Sequence, residues 1–171
     1  MAFNEDTRVK IPAILTLTRL GYKYFSLKDR QDIDPKTNIF TDIFFECLQK
    51  LNPNTEEEDL KKYFNKLQTM LDNDDLGKEF YNALINSSGI KLIDWENIGK
   101  NQLHVCTELT CGNKDDDNFR PDITLLINGM PLAFIEVKKP NNREGILAER
   151  DRINVRFKNR KFRRFINISQ I

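Results

Sequence analysis

RPDITLLINGMPLAFIEVKKP, residues 120–140, sets two apolar runs on either side of Asn128-Gly129. That dipeptide supplies the positive φ angles of a tight hairpin turn, so Asp122–Ile127 and Pro131–Lys138 are expected to pair antiparallel. Side chains alternate along a strand, which places Leu132, Phe134, Glu136 and Lys138 on one face and Ala133, Ile135 and Val137 on the other. The difficulty is Asp122. A two-residue loop with regular pairing sends it to the face opposite Glu136. A three-residue loop, Ile127-Asn128-Gly129 with Gly129 in the bulge position, or a bulge near Pro121, brings it beside Glu136.

There is a chemical reason for such a meeting. Two converging carboxylates, Asp122 and Glu136, make a hard-oxygen site suited to Mg²⁺, and the carbonyl of Val137 offers a further oxygen. The Lys138 ammonium can orient or help deprotonate an attacking water and offset charge on a phosphate. On spacing alone, a structural salt bridge at the sheet edge is the competing explanation.

Working outward, the 171 residues suffice for one well-buried domain. No apolar run approaches the roughly 18 to 20 residues that span a bilayer, and MAFNEDTRVK lacks the apolar segment of a signal peptide, so a cytoplasmic protein with no membrane partner is expected. Cys47, Cys106 and Cys111 are odd in number and widely spread, with only His104 to join them, which supports neither a disulfide framework nor a zinc site. The formal net charge of +1 hides a split: −6 up to Asn118 and +7 from Phe119 onward. The C-terminal third therefore faces either something anionic or plain solvent.

Three regions follow: a helical part (1–88), a sheet (89–140) and a basic helical part (141–171). In the first, Asp6 or Thr7 caps a helix with Pro12 in its first turn, and Ile43, Cys47 and Leu51 share one helix face. Thr55 and Glu58 have capping-box spacing ahead of an apolar stripe of Leu60, Phe64, Leu67 and Leu71, and DLGKEFYNALI forms a weaker fourth helix. In the second, IKLIDW and QLHVCTELT are expected strands. Asp115–Asp117 offer either a cation site or a solvated acidic loop, and the lack of the Gly and Glu of a calcium-binding EF-hand favours the solvated loop. In the third, six of the nine residues 156–164 are basic, with Phe157, Phe162 and Phe165 interleaved. Arg156, Lys158, Arg160, Lys161, Arg163 and Arg164 suit DNA phosphates, and the rings suit packing or stacking; the same pattern also describes an amphipathic helix whose phenylalanines are core. The chain stops in mid-pattern at RRFINISQI, as a piece of a longer protein would.

RPD followed by EVK across a hairpin resembles the PD-(D/E)xK nuclease motif. With EDTRVKIPAILTLTRLGYKY and AERDRINVRFKNRKFRRFINISQ, nearly the whole chain is similar to the N-terminal nuclease domain of the restriction (motor) subunit of type I restriction enzymes. The resemblance implies an α/β, restriction-endonuclease-like fold, a mixed β-sheet flanked by α-helices, and Mg²⁺-dependent cleavage of double-stranded DNA. It matches Asp122 and Glu136 to the metal-binding acids and Lys138 to the catalytic lysine. It also implies a supporting glutamine in a later helix, for which Gln170 is the candidate, and an acid of the first helix, for which Glu5 is best placed. The family's ATP-driven translocation would need a phosphate loop, and no G-x-x-x-x-G-K-[S/T] occurs in these 171 residues, so ATP would bind elsewhere in a full subunit. Methyltransferase and specificity subunits are the implied protein partners. A repair nuclease or junction resolvase of the same fold, or a non-catalytic DNA-binding or docking module, are the alternatives.

Overall fold

In chain order the elements are α1 (Ile11–Arg19), β1 (Lys23–Tyr24), α2 (Thr41–Leu51), α3 (Glu57–Met70), α4 (Lys78–Ile85), β2 (Leu103–Thr107), β3 (Ile123–Ile127), β4 (Met130–Ile135), α5 (Arg143–Phe157) and α6 (Arg163–Ile168). They come from a computed structural model that describes residues 6–29, 32–86, 88–111, 119–138 and 143–169. The strands form one mixed sheet in the order β1-β2-β3-β4, parallel between β1 and β2 and antiparallel elsewhere. With helices packed on both faces, this is the expected α/β, restriction-endonuclease-like arrangement.

The hairpin solves its parity problem inside β4. Asn128 (φ 51°) and Gly129 (φ 79°) are both left-handed, as a two-residue primed turn requires, and Ile127 pairs with Met130 and Leu126 with Pro131. Beyond them the register shifts: Leu125 pairs with Ala133, Thr124 with Phe134 and Ile123 with Ile135. Leu132 is therefore an extra residue, bulged out of the ladder. Continued by one pair, the shifted register sets Asp122 directly opposite Glu136. The correcting bulge lies at Leu132 and not at Pro121, and the loop has two residues and not three.

Three apolar clusters hold the layers. Val9, Ala13, Ile14 and Leu17 pack α1 and the turn before it onto Val105, Ile123, Ile135 and Val137, covering one face of the sheet. On the other face Phe40, Ile43 and Cys47 meet Cys106, Leu126, Phe119 and Phe134, together with Phe162, Phe165 and Ile166 from the C-terminal part. Leu48, Leu60, Phe64, Leu67, Phe80 and Leu84 bind α2, α3 and α4 together, with Met130 and Leu132 of the hairpin among them. The bulged residue is thus fixed by burial rather than left loose. The turn is fixed too: Asn128 donates through Nδ2 to the Leu92 carbonyl (2.9 Å) and to Asn101 Oδ1 (2.8 Å), and accepts at Oδ1 from the Gln102 N–H (2.8 Å).

Several local expectations need correction. IKLIDW forms no strand; its Leu92 and Ile93 are buried, but the segment follows bends whose polar groups pair with Asn52, Asn101 and Asn128. A strand appears where none was expected, at β1 in the helical part, and it is exposed and only two residues long. Glu56, not Thr55, occupies the N-cap of α3, without a side-chain cap hydrogen bond. Asp6 opens a π-helical turn (Asp6–Lys10) ahead of α1 and pairs with Lys10 at 3.1 Å, while Pro12 does sit in the first α-helical turn. The three cysteines are free and buried, and burial pushes the Cys106 thiol up to about 12. The Asp115–Asp117 loop lies outside the described residues. Among those described, no helix is long and apolar enough to cross a membrane.

Candidate metal and nuclease centre

Asp122 stands one residue before β3 and Glu136 one residue after β4, so both leave the ladder at the same end of the hairpin. Asp122 is tightly placed. Its Oδ2 accepts the Val137 N–H at 3.0 Å across the strand gap, and its Oδ1 lies 3.5 Å from Lys10 Nζ. Lys10 also reaches Asp6 at 3.1 Å and Glu108 at 3.3 Å, and its side chain is only 12% exposed. Burial acts to lower its pKa, but the surrounding Asp6, Glu108 and Asp122 outweigh it and the group is held above its usual value.

Glu136 carries the strongest perturbation in the hairpin. Burial pushes its carboxyl up to about 7, and the neighbouring charges of Asp122 and Glu149 push the same way, with a hydrogen bond to Asp122 favouring the protonated form. Lys138 opposes the shift, its Nζ lying 3.9 Å from Glu136 Oε2. The Glu136 carboxyl is therefore crowded by two further carboxylates, Asp122 and Glu149, in a half-buried place. A divalent cation would relieve that crowding. Among the described residues no cluster of three or more metal-binding side chains forms. Asp122, Glu136 and the Val137 carbonyl are the oxygens here that could hold a divalent cation; Mg²⁺ commonly binds through one or two carboxylates and keeps several waters.

Sequence reasoning missed Glu149. It lies on α5, its side chain is 8% exposed, and Lys138 Nζ lies 3.4 Å from Oε2. Arg152 (3.2 Å) and Arg156 (3.4 Å) approach the same carboxylate. The only signal was indirect: Glu149, Arg152 and Arg156 are spaced to share one helix face. Gln170 and Glu5, the two supporting residues suggested by family resemblance, lie outside the described residues.

The basic segment proves divided. Arg163 Nη1 donates to the Asp72 carbonyl at 3.0 Å and Arg164 Nη2 reaches the Asp72 carboxylate at 3.0 Å, so part of the charge surplus is matched against the acidic N-terminal part. Arg156 is held by Glu149 and lies 4.5 Å from the Phe119 ring centroid. Phe162 and Phe165 are core residues packed edge-to-face about Phe119, which settles the packing question for them; Phe157 remains exposed. Lys158, Arg160 and Lys161 are exposed, and Lys36, Arg160, Lys161 and Arg164 line one cleft of about 270 Å³.

With this geometry in hand, the relatives become informative. The family of type I restriction enzyme R protein N termini matches residues 2–171. The chain belongs to that family. Over 168 residues it is 34% identical to a Methanocaldococcus jannaschii protein named as the MjaIXP endonuclease subunit of a type I restriction enzyme, a match covering 82% of this chain and 16% of that protein. It is 26% identical over 152 residues to the type I restriction enzyme SauCOLORF180P endonuclease subunit of Staphylococcus aureus strain COL, covering 81% of this chain and 15% of the relative. The chain thus spans under a fifth of the length of these relatives.

Proposed function

We propose that this R-protein N-terminal domain is the endonuclease of a type I restriction enzyme, hydrolysing DNA phosphodiesters with Mg²⁺ held by Asp122, Glu136 and the Val137 carbonyl. The observation that carries the reading is the bulge at Leu132, which sets Asp122 opposite Glu136 while both remain at the end of a buried hairpin. A bound Mg²⁺ would polarise the phosphoryl oxygen and acidify a water. The Val137 N–H fixes Asp122 by one oxygen, and Lys138 presents its ammonium where it can orient the attacking water and balance phosphate charge. ATP binding and translocation belong, in this proposal, to other parts of the full subunit, and the methyltransferase and specificity subunits supply target recognition in the cytoplasm.

The test is direct titration of the chain with Mg²⁺ or Mn²⁺. One strong site is expected, and its affinity depends on pH in a defined direction. Below about 7 a proton occupies the Glu136 carboxyl and competes with the cation. Affinity should therefore rise by about tenfold per pH unit up to that point and flatten above it, as for release of one proton on binding. Absence of a site, or an affinity that falls as pH rises, would count against the proposal.

DNA contact is assigned to the exposed part of the basic segment. Replacing Arg160 and Lys161 together by Ala should weaken DNA binding and reduce the slope of log K against log salt by about 0.9 per lost phosphate contact. An unchanged slope would leave these residues as a solvated surface. Arg163→Ala and Arg164→Ala are expected instead to lower thermal stability, because both side chains hold α6 to the Asp72 turn.

A further inference from the structure

Two acids compete for Lys138. Its ammonium lies 3.4 Å from Glu149 Oε2 and 3.9 Å from Glu136 Oε2, so Glu149 is the nearer partner. The two contestants differ in how firmly they are held. Glu149 is clamped: Arg152 sits on Oε2 at 3.2 Å, Arg156 on Oε1 at 3.4 Å, and Arg156 is itself steadied against the Phe119 ring. Lys138 is 23% exposed on a flexible four-carbon stem, beside a cleft of about 460 Å³ that Glu136, Lys138 and Glu149 line together with Ile146 and Ile153 of α5.

We infer that Glu149 is a positioning residue: it draws the Lys138 ammonium off Glu136 and so keeps the Glu136 carboxylate available to a divalent cation. The inference rests on the metal-dependent reading above. Without the charge of Glu149, Glu136 becomes the nearer carboxylate for Lys138. A close Lys138–Glu136 pair would then neutralise a cation ligand and place an ammonium where the metal must bind. A buried carboxylate facing three cations is costly to maintain unless each is paired, and here the pairing does positional work at the neighbouring site. Glu149 need not touch the metal for this, in keeping with the lack of a three-carboxylate cluster among the described residues.

The experiment is a double-mutant cycle on the full chain, read as Mn²⁺ affinity by titration calorimetry, for wild type, Glu149→Gln, Lys138→Met and the double variant. Glu149→Gln should weaken Mn²⁺ binding by about tenfold, the lower end for partners that orient ligands. In the Lys138→Met background the same change should cause no loss of affinity, because no ammonium remains to swing. Unaltered affinity in Glu149→Gln would overturn the inference. So would a loss that persists without Lys138, since Glu149 would then act by its own charge. Urea unfolding checks that each variant is folded. Should Glu149→Gln fail that check, Glu149→Asp takes its place, with a smaller loss that again vanishes in the Lys138→Met background; a loss that stays would overturn the inference equally. Failure of the wild-type chain to bind Mn²⁺ would sink the metal reading itself, and the inference with it, which distinguishes the two.

Discussion

Asp122→Asn, Glu136→Gln and Lys138→Met are each expected to reduce DNA cleavage by the assembled restriction enzyme by about a thousandfold or more, the scale of removing a preorganised charge from a hydrolytic centre. ATP hydrolysis by the same preparations should continue, since the proposal places that activity outside this domain. The three losses have different origins. Asn at 122 keeps the shape that accepts the Val137 N–H but halves the anionic charge at the cation position. Gln at 136 removes the carboxylate whose pKa burial, Asp122 and Glu149 raise towards 7. Met at 138 preserves the aliphatic stem while deleting the ammonium, so metal binding should survive in it and fail in the other two. Measuring Mn²⁺ affinity beside cleavage separates ligand loss from loss of phosphate stabilisation. Cleavage at wild-type rate in any one of them would remove that residue from the proposed centre, and a non-catalytic DNA-binding module would show no change in all three.

What the sequence made legible and what it hid divide along the range of the interactions. The stripe Leu60–Phe64–Leu67–Leu71 is buried as its periodicity requires, as are Ile43 and Cys47 of the first stripe, with Leu51 half-buried at its end, because a helix face depends only on spacing within one segment. The Asn128-Gly129 turn is also local, and both residues take the left-handed angles that the dipeptide favours. The bulge is not local. Nothing in MPLAFIEV marks Leu132 as supernumerary; its place follows from burial in the cluster that joins α2, α3 and α4. Parity arguments could demand a bulge without locating it. IKLIDW failed as a strand for a related reason, since Asn52 and Asn128, distant in sequence, take up its backbone groups. Glu149 and Lys10 were hidden because each meets the site through space from its own helical segment, more than ten residues from the nearest motif position.

Gly129→Ala should destabilise the fold by about 3 kcal/mol or more, a large share of the 5 to 15 kcal/mol that holds a typical domain together. Two costs combine. The residue sits at φ 79°, where an L side chain is strained by about 1 kcal/mol. In addition, a Cβ there would lie 2.7 Å from the Phe40 carbonyl oxygen and 2.9 Å from the Phe44 nitrogen, both backbone atoms at the start of α2 that no rotamer change can move aside. Gly21→Ala isolates the first cost, because at φ 102° its Cβ would meet nothing within 4 Å. Urea unfolding of the two variants should show Gly21→Ala down by about 1 kcal/mol and Gly129→Ala by several times that. Equal effects would mean that the turn does not bear on α2. The consequence reaches the nuclease centre, for the Phe40 N–H donates to the Gly129 carbonyl at 2.9 Å and ties the turn to the core. A turn pushed off α2 loses what fixes the two-residue loop against the Leu132 bulge, and a slip of one residue sends Asp122 to the face away from Glu136. Any Gly129→Ala protein that remains folded should therefore bind Mn²⁺ more weakly than Gly21→Ala, although Gly129 stands at the opposite end of the hairpin from Asp122 and Glu136.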